Sequence, residues 1–149
     1  MKVINSITIV HSASRNFKEA LDLCIETAKK ENIDVKNILP VNEKGIDKVV
    51  SKKESDLILV IGGDGTMIRT VANLIDHEIP LLGINIGKLG FLTDLNVDSI
   101  SKVLPEVFSG KYQLEERPSL SIQVDDSESL IGINDCLLYT SDAADDFTS

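Results

Sequence analysis

Short apolar runs alternate with longer stretches of helical spacing along the first two thirds of the chain. Four such runs predict strands, at 3–12, 33–41, 56–63 and 79–85. Between them, apolar residues recur every three or four positions and predict helices at 16–32, 45–53 and 66–78. Strands that alternate with helices predict an α/β fold with a parallel sheet and flanking helices.

Two details refine these predicted helices. Asn16 and Glu19 stand three residues apart before an apolar helix face, which predicts a capping box at the start of that helix. A further helix is predicted over 97–110, but Pro105 lies inside it. Because proline cannot donate a backbone hydrogen bond, we expect a kink or two short pieces, ending near Gly110.

The pattern changes after residue 114. Two apolar runs, at 118–124 and 130–140, are separated by a short acidic segment and have no helix between them. They predict an antiparallel pair of strands that opens a second, β-rich domain.

Composition and charge limit the possible partners. The chain has 149 residues and a net charge of −9, of which −8 lies in residues 115–149. No basic patch with interleaved aromatic residues is visible, which argues against nucleic acid as a ligand. No apolar run approaches the roughly 18 residues of a membrane span, so no membrane partner is expected.

The cysteines and histidines show no metal-binding spacing. Cys24 and Cys136 share no Cys-x-x-Cys context and are predicted to be reduced, packed thiols of a cytoplasmic protein. His11 and His77 have no partner at ligand spacing and are expected to be structural.

The stretch with the clearest chemistry is Gly-Gly-Asp-Gly at 62–65, between a predicted strand and a predicted helix. The first N–H groups of a helix and its dipole attract anions. Glycines lack Cβ atoms, so a phosphate chain can lie against the backbone. The P-loop pattern Gly-x-x-x-x-Gly-Lys-Ser/Thr is absent from the chain. The Gly-x-Gly-x-x-Gly dinucleotide motif is absent as well, because residue 68 is isoleucine where the third glycine would stand.

Asp64 is the unusual member of this turn. A carboxylate beside bound phosphate is repelled unless it holds a bridging divalent metal or accepts a proton from an attacking hydroxyl. Both roles point to phosphoryl transfer. The alternative is a tight turn in which Asp64 only caps the next helix.

A second glycine-rich loop spans 83–95. Loops at the carboxyl ends of neighbouring parallel strands converge on one crevice, so this loop and Asp64 are expected to face the same ligand. Phe91 is a candidate to stack on a base and Lys88 to contact a phosphate. The alternative, with Phe91 in the core and Lys88 in solvent, stays open at this point.

Taken together, these segments resemble the NAD kinase family over about residues 1–138. The matching stretches are GGDGTMIRT at 62–70, GINIGKLGFLTDL at 83–95, EERPSL at 115–120 and INDCL at 133–137. The resemblance implies ATP-dependent phosphorylation of the 2′-hydroxyl of the adenosine ribose of NAD, giving NADP. ATP would be the phosphoryl donor, NAD the acceptor, and a divalent metal such as Mg²⁺ the cofactor.

The resemblance also implies roles for individual residues. Asp64 would be the catalytic proton acceptor, and Arg69 would reach a substrate phosphate. Phe91 would lie near the NAD adenine, and Asn134 and Asp135 would hydrogen-bond NAD. The remaining residues implied to bind substrate or cofactor belong to the nucleotide-binding turn: Gly62, Gly63, Gly65 and Thr66.

Family members continue beyond the Asn-Asp pair into a β-rich domain and act as oligomers. The resemblance therefore implies a Rossmann-like domain at 1–114, the start of an incomplete β-rich domain at 115–138 and an unrelated acidic tail at 139–149. On this interpretation the chain is a fragment with little activity alone, and its full-length form is a homo-oligomer. The alternatives are a fragment of a diacylglycerol- or sphingosine-type lipid kinase, or a non-catalytic nucleotide-binding module.

Overall fold

A computed structural model of the chain describes residues 3–13, 16–52, 54–74, 77–87, 95–115, 119–123, 129–133 and 136–139, with backbone alone from residue 114 onward. The strands of the first part are β1 (Ser6–His11), β2 (Asp34–Pro40), β3 (Leu57–Gly62), β4 (Leu81–Asn85) and β5 (Leu95–Asn96). The helices are α1 (Lys18–Lys30), α2 (Ile46–Lys52), α3 (Asp64–Asn73) and α4 (Ile100–Phe108), with a 3-10 turn at Val97–Ser99.

The five strands form one parallel sheet in the order β2-β1-β3-β4-β5. Every residue of β3 is buried, because this strand lies in the middle of the sheet and is covered on both faces. One apolar core lies between the sheet and α1 with α4, and another lies between the opposite face and α2 with α3. The predicted parallel sheet with flanking helices is confirmed.

The start of α1 differs from its predicted start. The helix begins at Lys18, its N-cap residue is Phe17, and no side chain caps it. The predicted capping box of Asn16 and Glu19 is therefore wrong. Phe17 packs against the core and its ring stacks on that of His11 with centroids 3.9 Å apart, so apolar packing takes the place of a polar cap.

Helix α4 continues through Pro105, so of the two predicted forms, a kink or two short pieces, division into pieces at the proline is wrong. The missing proline N–H would have bonded to the carbonyl of Ser101, which lies at an exposed position where water can replace the donor. The helix ends as predicted near Gly110, whose φ is +95°. The N–H of Gly110 donates to Val107 and that of Lys111 to Glu106, which is the Schellman arrangement.

The later strands form antiparallel pairs. Strand β7 (Ser119–Gln123) pairs with β8 (Ser129–Ile133), as the sequence predicted. The predicted single strand at 130–140 is two strands, because β9 (Cys136–Tyr139) pairs instead with β6 (Tyr112–Glu115). Strand β6 was missed because its four residues are too few to show a period.

Both histidines make contacts within the protein, as predicted. The Nε2 atom of His77 lies 2.7 Å from the Oδ1 atom of Asp47 and links the segment after α3 to helix α2. The Nδ1 atom of His11 lies 2.9 Å from the carbonyl oxygen of Ser12. None of the described helices is long and apolar enough to cross a membrane.

Cys24 is a free thiol on the buried face of α1, and its burial raises its pKa to about 12. The thiolate form of a cysteine is the nucleophile that attacks a disulfide reagent, so this cysteine should react slowly in the folded protein. In a Cys136→Ser variant at pH 8, we expect a colorimetric disulfide reagent to modify Cys24 at least about tenfold more slowly in buffer than in urea. Equal rates in the two solvents would contradict the burial of this thiol.

Candidate active site

The order of the strands places a crevice at the carboxyl ends of β1 and β3. Strand β1 lies between β2 and β3 in the sheet. The connection from β1 to β2 therefore runs to one side of β1, whereas β3 lies on its other side. Ligands of open parallel sheets bind where the strand order reverses in this way. The residues that follow β1 and β3 are therefore the first candidates for a site.

Helix α3 begins in this crevice, directly after β3. Gly63 is its N-cap in an extended conformation, with φ −115° and ψ −165°, and Asp64 is its first residue. The sequence predicted a helix over 66–78, so the observed helix begins two residues earlier than predicted, takes in the aspartate and ends earlier, at Asn73. Gly63 rather than Asp64 occupies the N-cap position, and Asp64 is the acidic residue of the first turn.

The three glycines of the turn differ in what an added side chain would contact. Among the described residues only Gly45, Gly110 and Asn32 have positive φ, so the turn does not rely on left-handed backbone. A Cβ atom on Gly62 would lie 2.5 Å from Oγ1 and 2.6 Å from Cβ of Thr66. A Cβ atom on Gly63 or Gly65 would meet no described atom within 4 Å. Close packing requires the first glycine, and the other two leave open surface.

Thr66 and Arg69 lie on α3 in different surroundings. The half-buried side chain of Thr66 packs over Gly62, and its carbonyl accepts a hydrogen bond from the Thr70 hydroxyl at 2.8 Å. Arg69 is exposed and lies four residues after the exposed Gly65, so both share one face of the helix. An anion at the start of α3 would therefore have this guanidinium one turn away.

The end of β4 adjoins the same turn. Asn85 pairs in register with Gly62, and the N–H of Ile86 donates to the Gly62 carbonyl at 3.4 Å. The buried side chain of Asn85 accepts a hydrogen bond from the N–H of Gly87 at 3.0 Å, which turns the chain out of the strand. Ile86, the first residue after β4, thus lies beside the Asp64 turn, and the expectation that the two glycine-rich loops face one ligand stays a prediction.

Four candidates lie outside the described residues: Lys88, Phe91, Asn134 and Asp135. The structure therefore brings together the turn at 62–66, Arg69 and the end of β4. Sequence reasoning missed two polar residues of this edge, Ser12 and Asn85. The available signal was a polar residue at the end of an apolar run: Asn85 follows Ile84 directly, and Ser12 follows Val10 after His11.

The described residues include no group of three or more His, Cys, Asp or Glu side chains that could hold a metal ion by themselves. Mg²⁺ is commonly bound by one or two carboxylates together with substrate phosphates. One carboxylate at an anion site, as at Asp64, fits a metal that arrives with a nucleotide.

Comparison with known protein families shows which family this chain belongs to. The model of the ATP-NAD kinase N-terminal domain matches residues 6–112, which include the whole parallel sheet and the Asp64 turn. The chain belongs to the ATP-NAD kinase family. The kinase class predicted from the Asp64 turn is therefore confirmed at the level of the family.

Relatives with the name NAD kinase come from several organisms. The chain is 35% identical over 125 residues to the protein of Clostridium kluyveri, covering 82% of this chain and 44% of that one. It is 41% identical over 91 residues to that of Methanothermobacter thermautotrophicus, covering 61% and 32%. The chain thus spans less than half the length of these relatives.

A solved structure of a diacylglycerol kinase from Bacillus anthracis str. Sterne matches with a TM-score of 0.40 and 22% identity, over 58% of this chain and 31% of that one. A match at this level carries no information on substrate.

Proposed function

We propose that this chain carries the phosphate-binding part of an enzyme that transfers the γ-phosphoryl group of ATP to the 2′-hydroxyl of the adenosine ribose of NAD, giving NADP. The observation that carries the proposal is the position of Asp64 as first residue of α3, directly after Gly62 and Gly63 at the strand-order reversal. This position sets a carboxylate beside the helix N–H groups that would hold phosphate.

The proposed step needs one proton acceptor. The 2′-oxygen of the ribose forms a bond to the γ-phosphorus of ATP, the bond from that phosphorus to the bridging oxygen breaks, and ADP leaves. The hydroxyl proton passes to the Asp64 carboxylate. The reaction otherwise depends on holding the two substrates in line and stabilising the charge of the transferred group.

The start of α3 supplies that stabilisation in the proposal. Its first N–H groups have no intrahelical partners, and Gly63 and Gly65 leave the backbone uncovered by any described side chain. Arg69 adds a positive charge on the same helix face as Gly65. A bound Mg²⁺ would neutralise part of the phosphate charge.

The NAD-binding roles of Phe91, Asn134 and Asp135 rest on their match to the family motifs and stay predictions. So do the cytoplasmic location, the homo-oligomeric full-length form and the low activity of the chain by itself.

A chimera tests the proposed function. Residues 1–138 of this chain would replace the equivalent part of the Clostridium kluyveri relative, and the product would be assayed with Mg²⁺, ATP and NAD beside the 149-residue chain. We expect the chimera to form NADP and to leave diacylglycerol and sphingosine unphosphorylated. Failure of a folded chimera to form NADP, or lipid phosphorylation at a comparable rate, would overturn the proposal.

A further inference from the structure

The residue that follows β1 has an unusual hydroxyl group. Ser12 is 5% exposed, and its Oγ atom is buried without a hydrogen-bond partner among the described residues. Leaving a buried hydroxyl without a partner costs free energy, so such groups are rare in folded proteins. By comparison, the buried hydroxyl of Thr8, within β1, accepts hydrogen bonds from Ser55 at 3.0 Å and Asn37 at 3.2 Å.

The register of the sheet places Ser12 next to the start of α3. The N–H of Ser12 donates to the carbonyl of Ile61 at 2.8 Å, so the ladder between β1 and β3 continues past His11 and sets Ser12 beside Gly62. Side chains alternate along a strand, so Ser12 faces the same side as Val10. Val10 packs in the core that also contains Met67 and Val71 of α3.

Ser12 therefore lies on the α3 side of the sheet, at the reversal of strand order, with a hydroxyl donor that has no partner among the described residues. The adjoining helix start has N–H groups that lack intrahelical partners. Both features suit the same kind of ligand, an anion with several oxygen atoms. We propose that Ser12 is a phosphate-binding residue, whose hydroxyl donates a hydrogen bond to the polyphosphate of the phosphoryl donor at the start of α3.

This inference rests on the proposed function for the identity of the donor, and extends the site from the α3 turn across to β1. The hydroxyl is covered in the ligand-free chain, so binding includes a turn of the Ser12 χ1 angle between staggered positions. The unused donor thereby gains an ionised partner, the strongest kind of hydrogen bond that a neutral hydroxyl can make.

Two variants of the 149-residue chain give a matched test. Ser12→Ala removes the unpartnered hydroxyl, and Ser55→Ala removes a buried hydroxyl that does have a partner and lies before β3, at the opposite end of the sheet. Binding of Mg·ATP and of inorganic tripolyphosphate would be measured by calorimetry, and the melting temperature without ligand by circular dichroism.

We expect Ser12→Ala to weaken both ligands about tenfold, the usual loss for a hydrogen bond to a charged group, and to leave the melting temperature unchanged or higher. Ser55→Ala should lower the melting temperature and leave both affinities unchanged. A loss of affinity below about threefold for Ser12→Ala would overturn the proposal, because it lies well under that expected from a charged hydrogen bond.

Three other results would overturn it as well. One is a clear drop in the melting temperature of Ser12→Ala, which would show that the hydroxyl already has a structural partner such as a bound water. Another is an equal loss of affinity in Ser55→Ala. The third is a lack of binding of either ligand to the unmodified chain.

The readout separates this inference from the proposed function, because neither ligand titration involves NAD. Binding that depends on Ser12, together with a chimera that forms no NADP, would remove the proposed acceptor and keep the phosphate site. If the chimera formed NADP but Ser12→Ala had no effect on binding, the proposed function would stand and the role of Ser12 would be overturned.

Discussion

Replacing Asp64 by asparagine is expected to lower the turnover of the chimera at least about a hundredfold, the lower end of what a general base contributes. Asparagine has nearly the same shape but cannot accept the proton of the attacking hydroxyl. Because the substitution also removes a negative charge beside the phosphates, Mg·ATP should bind as tightly as before or more tightly. Steady-state rates of NADP formation and calorimetric binding of Mg·ATP measure the two effects separately.

Asp98→Asn is a suitable control for this variant. Asp98 is exposed and also lies in the first turn of a helical segment, so its replacement loses a similar interaction with the helix dipole, about 0.3–1 kcal/mol. Its turnover should stay near that of the unmodified chimera. If Asp64→Asn kept most of its turnover, the role as base would be excluded. If it lost Mg·ATP binding in proportion to turnover, Asp64 would instead be a metal-holding residue.

Gly62→Ala is expected to lower the free energy of unfolding by about 1–3 kcal/mol, as overpacked sites usually do. The added methyl group would meet Oγ1, Cβ and Cγ2 of Thr66 at 2.5–2.9 Å. The Thr66 Cβ atom is tied to the backbone of α3, so the clash cannot be relieved by a side-chain rotation alone. Urea denaturation of the 149-residue chain gives the change directly.

Gly63→Ala provides the comparison, since its Cβ atom would meet no described atom within 4 Å and its backbone is extended. It should keep nearly all of the stability. A double-mutant cycle is sharper: in a Thr66→Gly background, Gly62→Ala should cost less than it does alone, because the clashing atoms are gone. Equal costs in the two backgrounds would show that Thr66 is not the cause.

These two substitutions separate two functions of one turn. Gly62 lets the side chain of Thr66 pack against the end of β3 and so sets where α3 begins. Gly63 and Gly65 leave the start of that helix accessible. The turn thus needs glycine for packing at Gly62, and in the proposed function Gly63 and Gly65 give the ligand access to the helix start.

The sequence by itself determined the class of fold and predicted the central chemistry of the site. The apolar run of β3 and the helical spacing of its neighbours were enough to predict a covered parallel sheet, because both follow from local periodicity. The Gly-Gly-Asp-Gly turn stood out since an acid among glycines has few structural uses. The resemblance to the family motifs then implied NAD as the phosphoryl acceptor, ATP as the donor and further substrate-binding residues.

Only the tertiary structure decided the order of the strands and what lies beside the turn. Hydrogen bonding between β1 and β3, residues far apart in the sequence, sets Ser12 next to Gly62 and leaves its hydroxyl without a described partner. The same holds for the start of α1, where packing of Phe17 prevailed over the predicted polar cap. Periodicity reports which face of an element is buried, whereas register and packing depend on which elements meet.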